Sequence, residues 1–277
     1  MRDEATAFVP GHITGFFSAY HDEDPTKAGS RGGGLTLTDG VEVTVEPADG
    51  TKSTVRLDGE RIDVDPVTTV LEALNATARV EATSELPIGS GFGVSGAMAL
   101  GTALAANRVF ERGLSENELV TIAHGAEVQA GTGLGDVVAQ ARGGVPLRLE
   151  PGGPHENELD AIPARARVEY VSFGELSTEA VLSGDTETLT AAGDRALARV
   201  VEEPTLTSFM VASRRFAREA GLLTDRVTAT LEDVAAADGQ ASMAMLGETV
   251  FALGTGLSDA GYEPSVCAVH PAGAIMK

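Results

Sequence analysis

The chain has 277 residues, 43% of them hydrophobic, so it is long enough to bury the core of one large domain or of two ordinary ones. Its 41 acidic and 20 basic residues leave a net charge of −21, which opposes binding to nucleic acid and to anionic membranes. Lysine occurs only at Lys27, Lys52 and Lys277, and this acidic, lysine-poor composition predicts a halophilic protein whose charge repulsion is screened by salt.

Cysteine and histidine usage restricts disulfide and metal chemistry. A lone cysteine, Cys267, excludes an internal disulfide, and its apolar neighbours predict a buried structural thiol. The sequence has neither paired cysteines nor a His-x-x-x-His spacing, so we expect no structural zinc site. The first residues lack a signal peptide's basic start and apolar run, and no apolar stretch matches a bilayer, so we expect a cytoplasmic protein.

Alternation of apolar and polar residues predicts short strands in the first third of the chain. Asp-Gly pairs between them are turn signals, so these strands are expected to form an antiparallel meander. A proline at its start and an asparagine near its end mark a helix over 66–75. The strands are predicted at 6–9, 35–38, 41–46, 53–57, 62–64 and 79–83.

Residues 28–34, Ala-Gly-Ser-Arg-Gly-Gly-Gly, form a glycine-rich segment before the second predicted strand. The segment is either a flexible connection or a close approach of the backbone to a ligand. In the second case Ser30 and Arg31 are its hydrogen-bond donors. The residues alone leave both interpretations open.

A second glycine-rich segment, 87–97, reads Pro-Ile-Gly-Ser-Gly-Phe-Gly-Val-Ser-Gly-Ala and leads into a predicted helix that ends near Phe110. Alternate glycines are costly in a regular strand or helix, because glycine loses more conformational freedom on ordering than any other residue. Such a loop before a helix N-terminus presents free N–H groups and the positive end of the helix dipole, which bind phosphate. The predicted phosphate-binding residues are Pro87, Gly89, Ser90, Gly91, Gly93, Ser95 and Gly96.

Two other phosphate loops do not fit this segment. A P-loop requires a lysine after its last glycine, and no lysine lies nearby. Gly91, Gly93 and Gly96 satisfy the G-x-G-x-x-G pattern, but in a dinucleotide-binding fold that pattern directly follows a strand, and residues 84–87 intervene. The structural alternative is an ordinary glycine turn before a buried helix.

Ser115 and Glu118 form a capping-box pattern that predicts a helix ending near Gln129. At 3.6 residues per turn, His124 and Glu127 lie on its largely apolar face. A carboxylate on that face requires a partner or a metal, because burial of an unpaired charge is costly. The alternative for Glu127 is an exposed acid on a fraying last turn.

The next segment, 131–136, reads Gly-Thr-Gly-Leu-Gly-Asp and turns the chain sharply, so that Asp136 stands where another helix begins. As a helix cap, Asp136 would contribute about 1 kcal/mol, but a cap alone does not require the three glycines. The strand predicted next places Arg148 opposite an apolar face made of Val145, Leu147 and Leu149. Arg148 then pairs either with a substrate carboxylate or with Glu150 at the surface.

An acidic segment rich in Pro and Gly, 151–163, predicts a linker between a domain at 1–155 and a second domain at 156–277. Beyond it we expect a strand at 167–173 and then a run of helices. The order of strands and helices predicts an α+β protein. The helices are predicted at 177–183, 186–201, 205–220 and 225–237.

Three segments, in the same order, resemble motifs of the GHMP kinases, small-molecule kinases that include homoserine and mevalonate kinases. Pro10-Gly11-His12 resembles the substrate-side motif, in which Lys or Arg usually follows Pro-Gly, and 87–97 closely resembles the phosphate loop. Residues 241–251 resemble the glycine turn that closes on the nucleotide phosphates. The resemblance covers 7–256 and implies a two-domain α+β fold, with an N-terminal mixed or antiparallel sheet, a phosphate-loop helix and a helix-rich C-terminal α+β domain.

The same resemblance implies ATP as phosphoryl donor and Mg²⁺ as metal. The motif positions match Asp136 to the catalytic aspartate that accepts the hydroxyl proton, and Ser95 and Glu127 to the metal ligands. Arg148 is expected beside the acceptor's carboxylate, with His124 as a second donor. The candidate substrate-binding residues are His12, Ser30, Arg31, His124 and Arg148.

Within the family, the wording of 124–128, 131–136 and 143–148 is similar to the archaeal pantoate kinases. That similarity implies phosphorylation of the 4-hydroxyl of (R)-pantoate in archaeal coenzyme A biosynthesis. The alternatives are a GHMP kinase for homoserine, shikimate or a mevalonate-type acceptor, and an ATP-binding module without transfer activity. We expect a small-molecule substrate, no nucleic-acid or membrane partner, and a homodimer as an open alternative to a monomer.

Overall fold

Two β-sheets with helices packed against them form the part of the chain that this computed structural model describes, residues 3–175 and 186–277. The strands are β1 (Ala5–Tyr20), β2 (Gly29–Pro47), β3 (Thr54–Leu57), β4 (Glu60–Arg61), β5 (Ala78–Ser84), β6 (Val145–Glu150), β7 (Glu158–Ile162), β8 (Arg167–Glu175), β9 (Gln240–Ala244), β10 (Gly247–Leu253), β11 (Ser265–Ala268) and β12 (Ile275–Met276). The larger sheet has the order β12-β1-β2-β5-β3-β4, with β6 paired to β2 and β7 paired to β6. The smaller sheet has the order β11-β8-β10-β9.

The helices pack on these sheets and confirm most of the helical predictions. Ser115 caps α3 with the predicted capping box, and a helix follows the phosphate loop as expected. The helix predicted at 177–183 lies outside the described residues. The helices are α1 (Asp65–Ala73), α2 (Val94–Val109), α3 (Glu116–Ala130), α4 (Asp136–Arg142), α5 (Thr186–Glu202), α6 (Leu206–Glu219), α7 (Asp225–Ala236) and α8 (Gly256–Asp259).

The strand β1 is longer than predicted, because it continues through Pro10 and Gly11 instead of breaking there. It pairs antiparallel with β2 over most of both strands, with a register shift between Pro10 and His12. A Cβ on Gly11 would lie 2.2 Å from the Leu86 side chain. The glycine therefore serves close packing within the sheet, and the predicted break at this point is wrong.

The glycine-rich segment 28–34 is also not a loop, because β2 begins at Gly29. A Cβ on Gly32 would lie 2.3 Å from the carbonyl oxygen of Phe16, and a Cβ on Gly34 would lie 2.1 Å from the His12 ring. These glycines let β2 approach β1 closely. The prediction of a flexible connection is wrong, and the close approach is to β1.

The predicted antiparallel meander is wrong as well. The Asp39-Gly40 pair lies inside β2, where a Cβ on Gly40 would lie 2.4 Å from the carbonyl oxygen of Val9. After α1 the chain inserts β5 between β2 and β3, so that β5 pairs antiparallel with β2 and parallel with β3. The sheet is therefore mixed, in agreement with the α+β fold class.

The linker predicted over 151–163 is wrong in its second half. Glu158–Ile162 forms β7, which pairs antiparallel with β6 at the end of the larger sheet. The alternating exposure of this segment fits an edge strand with one face in water. The division into domains 1–155 and 156–277 stays a prediction.

A cluster of buried aromatic rings connects the two sheets. Phe209 of α6 has its ring centroid 5.7 Å from that of Phe16 in β1 and 6.4 Å from that of Phe251 in β10. All three rings are fully buried. The apolar core therefore continues from one sheet to the other through α6. None of the helices in the described part of the chain has the length and apolarity that a bilayer crossing requires.

We expect Phe209→Ala to lower the free energy of unfolding by about 3–5 kcal/mol, because it removes a fully buried ring and leaves a cavity. Val201→Ala is the control, since Val201 is 51% exposed and its truncation should change stability by about 0.5 kcal/mol or less. Urea unfolding followed by far- and near-UV circular dichroism measures both. Two separated transitions, or a loss below about 1 kcal/mol for Phe209→Ala, would show that the sheets do not share one core.

Candidate active site

A cavity of about 670 Å³ lies where three turns meet: the phosphate loop before α2, the turn between α3 and α4, and the turn between β9 and β10. Its lining combines charged groups with apolar side chains. The lining residues are Thr14, Phe17, Ser30, Ile88, Gly89, Gly91, Phe92, Gly93, Val94, Ser95, Glu127, Ala130, Gly131, Thr132, Gly133, Leu134, Gly135, Asp136, Arg148, Met245 and Leu246. The cavity thus contains much of the site predicted from sequence.

The phosphate loop has the backbone that its glycines predict. Gly89, Gly91 and Gly93 have φ angles of 70°, 86° and 64°, which side-chain-bearing residues rarely adopt. Gly93 is the N-cap of α2 and provides no side-chain cap, so the first N–H groups of the helix are available to a ligand beside Ser95. This geometry suits an anion such as phosphate.

Three of the predicted loop residues lie outside the cavity lining and shape the loop instead. Pro87 is exposed, and buried Ser90 donates its hydroxyl to the Ile88 carbonyl oxygen at 3.3 Å. Gly96 packs against α4, where its Cβ would lie 3.2 Å from Val137. Their direct contact with phosphate stays a prediction.

The turn between β9 and β10 and the start of β10, both in the second sheet, contact the phosphate loop. The Thr249 hydroxyl donates to the Ser90 carbonyl oxygen at 2.8 Å, and the Met245 N–H donates to the Thr14 carbonyl oxygen at 2.9 Å. A Cβ on Gly247 would lie 2.0 Å from the Ser90 carbonyl oxygen, so only glycine fits there. The third motif found in the sequence therefore contacts the second.

Glu127 points from α3 into the cavity and accepts a hydrogen bond from the Ser95 hydroxyl. Its side chain is buried, so the alternative of an exposed acid on a fraying turn is wrong. Burial raises the pKa of Glu127 to about 7, an effect that the Ser95 hydrogen bond opposes and the nearby negative charge of Asp136 reinforces. A positive charge placed here would restore the ionised form.

Asp136 is the first residue of α4, and Gly135 is the N-cap, so the alternative of an N-capping aspartate is wrong. Its Oδ1 accepts a hydrogen bond from His12 Nδ1 at 2.7 Å. Burial alone would raise the pKa of Asp136, but the His12 hydrogen bond, any positive charge on the His12 ring and the charge of Arg148 outweigh it and hold the pKa below its usual range. Asp136 is therefore a carboxylate at neutral pH.

The glycines of the turn 131–136 are required because the chain passes between charged groups. A Cβ on Gly133 would lie 2.6 Å from Glu127 Oε2 and 3.3 Å from Asp136 Oδ2. A Cβ on Gly135 would lie 2.5 Å from Ser30 Oγ and 2.6 Å from Arg148 Nε. Any side chain at these two positions would displace the groups that line the cavity.

Arg148 lies on β6, and 1% of its surface is exposed. The strand pattern predicted that its side chain faces away from an apolar layer, but it did not predict this burial. The alternative of a surface pair with Glu150 is therefore wrong. Among the described residues, none accepts a hydrogen bond from Arg148 Nε or Nη1. Burial lowers the pKa of Arg148 to about 10, opposed by the charge of Asp136, so the guanidinium remains a cation at neutral pH.

The other predicted substrate residues divide into two groups. Ser30 lines the cavity and donates its hydroxyl to the Leu134 carbonyl oxygen at 3.2 Å. His12, Arg31 and His124 lie outside the lining. Arg31 Nε donates to the Leu149 carbonyl oxygen at 2.7 Å, and His124 Nε2 lies 2.9 Å from the Ala28 carbonyl oxygen. Contact of these three residues with a substrate stays a prediction.

Two contributions to the site are not among those predicted from the sequence. Gln140 donates its side-chain amide to the Gly93 carbonyl oxygen at 2.9 Å and so holds the phosphate loop against α4. Its position four residues after Asp136, on the same helical face, is a signal that could have identified it. The other contribution is an apolar wall that includes Phe17, Leu134 and Leu246, for which the sequence offers no local pattern.

Comparison with known proteins identifies the family. Residues 65–144 match the model described as "GHMP kinases N terminal domain". A pantoate kinase of Methanocaldococcus jannaschii is 33% identical over 89% of this chain and 91% of its own, and one of Thermococcus kodakarensis is 36% identical over 89% and 86%. The chain belongs to the pantoate kinase family of the GHMP kinases. This result confirms the resemblance found in the sequence.

Solved structures agree with this assignment. One described as "Phosphotransferase related to CoA biosynthesis pathway" has a TM-score of 0.89, 31% identity, and covers 99% of this chain and 98% of its own. A structure described as "MDDEF in complex with MVAPP, AMPPCP and Magnesium" has a TM-score of 0.76 at 15% identity and covers 99% of this chain and 98% of its own. At that identity it shows the shared fold alone. A homoserine kinase of Halorubrum lacusprofundi is 41% identical, but over only 38% of this chain and 39% of its own.

The pKa of Glu127 predicts a pH-dependent difference in stability between this protein and its Glu127→Gln variant. Because the folded-state pKa of about 7 is above the usual value of 4.5, the folded protein loses stability as pH rises from about 4.5 to 7. Glutamine cannot ionise. In buffer free of divalent cations, the advantage of Glu127→Gln in unfolding free energy should therefore grow by about 2.5 kcal/mol between pH 5 and pH 8.

Urea unfolding at the two pH values measures this difference. Glu72→Gln is the matched control, because Glu72 is an exposed helical glutamate, and its effect should be the same at both pH values. An equal effect of Glu127→Gln at pH 5 and pH 8 would contradict a raised pKa at this position.

Proposed function

We propose that this protein is a pantoate kinase, which transfers the γ-phosphoryl group of ATP to the 4-hydroxyl of (R)-pantoate and forms 4-phosphopantoate. The observation that carries the proposal is the buried guanidinium of Arg148, whose Nε and Nη1 lack acceptors in the described structure, in the same cavity as Asp136 and the phosphate loop. The charge of Asp136 stabilises this cation in part, and a guanidinium binds a carboxylate through charge-assisted hydrogen bonds, so an anionic acceptor would add a partner. Pantoate offers that carboxylate together with a hydroxyl.

The phosphate loop is the proposed binding site for the phosphates of ATP. GHMP kinases use ATP, and the N–H groups at the start of α2 favour an anion. In a protein with net charge −21, such a local donor cluster is needed to attract a polyanion. Gly247 and Thr249 support the loop from the second sheet and fix where its N–H groups point.

Ser95 and Glu127 are the residues that would hold Mg²⁺. Their side-chain oxygens are already hydrogen-bonded to each other, and the buried Glu127 carboxylate, with its pKa raised to about 7, suits a neighbouring cation. An oxygen-only donor set with few protein ligands is the kind that Mg²⁺ accepts when phosphates complete the shell. When bound, the ion would neutralise charge on the phosphates.

Asp136 is the proposed general base. Its carboxylate, ionised at neutral pH, accepts the proton of the 4-hydroxyl as that oxygen forms a bond to the γ-phosphorus. The bond between the γ-phosphorus and the bridging oxygen breaks, and its electron pair leaves with ADP. The proton on Asp136 then passes to solvent. Most of the catalytic advantage lies in positioning and charge neutralisation, as is general for phosphoryl transfer.

Arg148 and Ser30 are the proposed binding groups for the acceptor, since both line the cavity. His124 and Arg31 act behind this layer: one holds the Ala28 carbonyl at the start of β2, and the other holds the Leu149 carbonyl next to Arg148. Homoserine, shikimate and mevalonate also have carboxylates, so Arg148 does not select among them. Pantoate is proposed because the similarity to pantoate kinases covers about nine-tenths of the chain, and that to a homoserine kinase covers 38%.

The proposal is tested by incubating the protein with ATP, Mg²⁺ and, in parallel, (R)-pantoate, L-homoserine, shikimate and (R)-mevalonate, with ADP release as the readout. We expect acceptor-dependent ADP release with pantoate, and Asp136→Asn should lower kcat by about 10² or more with nearly unchanged ATP affinity. ADP release that prefers another acceptor would assign a different kinase activity. ATP binding without ADP release for any acceptor would support a non-catalytic module.

Arg148→Met should raise KM for pantoate by about 10-fold or more and leave KM for ATP nearly unchanged, because it removes a charged hydrogen-bond donor. Methionine approximates the length of the arginine stem and so avoids a large cavity. Arg56→Met is the control, because Arg56 is an exposed cation on β3 whose loss changes the net charge equally. Equal KM for pantoate in Arg148→Met and in the unmodified protein would remove Arg148 from the acceptor site.

A further inference from the structure

His12 is buried behind the cavity and is bonded to both halves of the proposed catalytic machinery. Its Nδ1 lies 2.7 Å from Asp136 Oδ1, and its backbone N–H donates to the Phe92 carbonyl oxygen of the phosphate loop at 2.9 Å. The side chain is 0% exposed. The ring does not line the cavity, so the shorter of its two side-chain contacts, the one to Asp136, is its main link to the acceptor; the hydroxyl of Thr14, which does line the cavity, lies 3.4 Å from the same nitrogen.

The surroundings of the ring identify its protonation state. Nε2 faces Gly34, where a Cβ would lie 2.1 Å away, and among the described residues Nε2 has no hydrogen-bond partner. An imidazolium would bury both a positive charge and an unsatisfied N–H at this nitrogen, whereas a neutral ring leaves one unsatisfied acceptor there, which costs less. Burial, and the charge of Arg148, also lower the pKa of His12 despite its bond to Asp136. The ring is therefore neutral, with its proton on Nδ1.

We propose that His12 is a positioning residue for the general base, and that it acts as a neutral donor whose Nδ1–H holds Oδ1 of Asp136 and directs Oδ2 to the acceptor hydroxyl. This inference rests on the proposed role of Asp136 as the base. The Nδ1–H bond fixes the rotation of the carboxylate, and Gly34 leaves the space in which the ring is held. In the transfer step the hydroxyl proton moves to Oδ2, and His12 neither gains nor loses a proton.

A neutral donor has a consequence for the strength of the base. A lysine or arginine at this position would place a positive charge beside Asp136 and weaken it as a proton acceptor. Histidine supplies the orienting hydrogen bond without that charge. The cation that the site retains, Arg148, is then left to bind the acceptor. His12 thus orients the base, and Arg148 binds the anion.

The test compares His12→Leu and His12→Asn, each made alone and together with Asp136→Asn. Leucine removes the donor, and asparagine keeps an amide N–H near the position of Nδ1. The backbone bond to Phe92 remains in both variants, so ATP affinity should stay within about 3-fold. We expect His12→Leu to lower kcat about 10-fold or more, in line with a buried hydrogen bond to a charged group, and His12→Asn to recover most of that loss.

The double variants separate a positioning role from a structural one. In the Asp136→Asn background, His12→Leu should leave the residual kcat unchanged, because its effect passes through the missing carboxylate. The proposal is overturned if His12→Leu costs the same in both backgrounds, if asparagine is no better than leucine, or if only KM for the acceptor rises. Near-normal kcat in Asp136→Asn alone would instead refute the proposed base.

Folding of each variant is checked by its melting temperature. If His12→Leu does not fold, His12→Gln replaces it, because glutamine carries the same amide as asparagine but extends it toward the Nε2 side of the ring. We then expect higher kcat in His12→Asn than in His12→Gln. Equal kcat in these two variants would also overturn the proposal.

Discussion

The constraint on which the structure depends is the gathering of opposite charges around the cavity between the phosphate loop, α4 and β6. Asp136 and Glu127 bring two carboxylates to its wall, and Arg148 brings a guanidinium whose Nε and Nη1 have no acceptor in the described part of the chain. Isolated charges in such surroundings weaken a fold. In the proposed complex, the substrates and Mg²⁺ would complete the pairing, so the groups that are unfavourable in the empty protein would be productive there.

The glycines provide the space that this arrangement needs. Gly133 and Gly135 let the chain pass between the charged groups, and Gly34 makes room for the His12 ring behind them. On the opposite wall Gly247 allows the second sheet to touch the phosphate loop. Because the second sheet and the phosphate loop are in direct contact, the loop, the base and the acceptor group belong to one packed unit, and the shared aromatic core extends that unit across both sheets.

Local chemistry explains which features could be predicted from the sequence. The phosphate loop, the capping box and the carboxylates of Glu127 and Asp136 lie in patterns whose cause is local. The structure has the capping box and brings the loop and the two carboxylates to one cavity. The meander and the flexible connection at 28–34 were wrong, because glycines there serve contacts between β1 and β2, whose paired residues are distant in sequence. The linker was wrong in its second half, because 158–162 pairs with β6 as an edge strand. The burial of Arg148 and its lack of acceptors, and the bond from His12 to Asp136, also depend on distant pairing.

The most direct test of this account is the position of the phosphate on the product, because pantoate has hydroxyls at both C2 and C4. If Arg148 holds the carboxylate, the distal hydroxyl is the one that reaches Asp136. Proton-coupled ³¹P NMR of the product should then show phosphorus split by the two methylene protons of C4. Splitting by the single proton of C2 would contradict the account, since it would place the carboxylate end of the acceptor at Asp136.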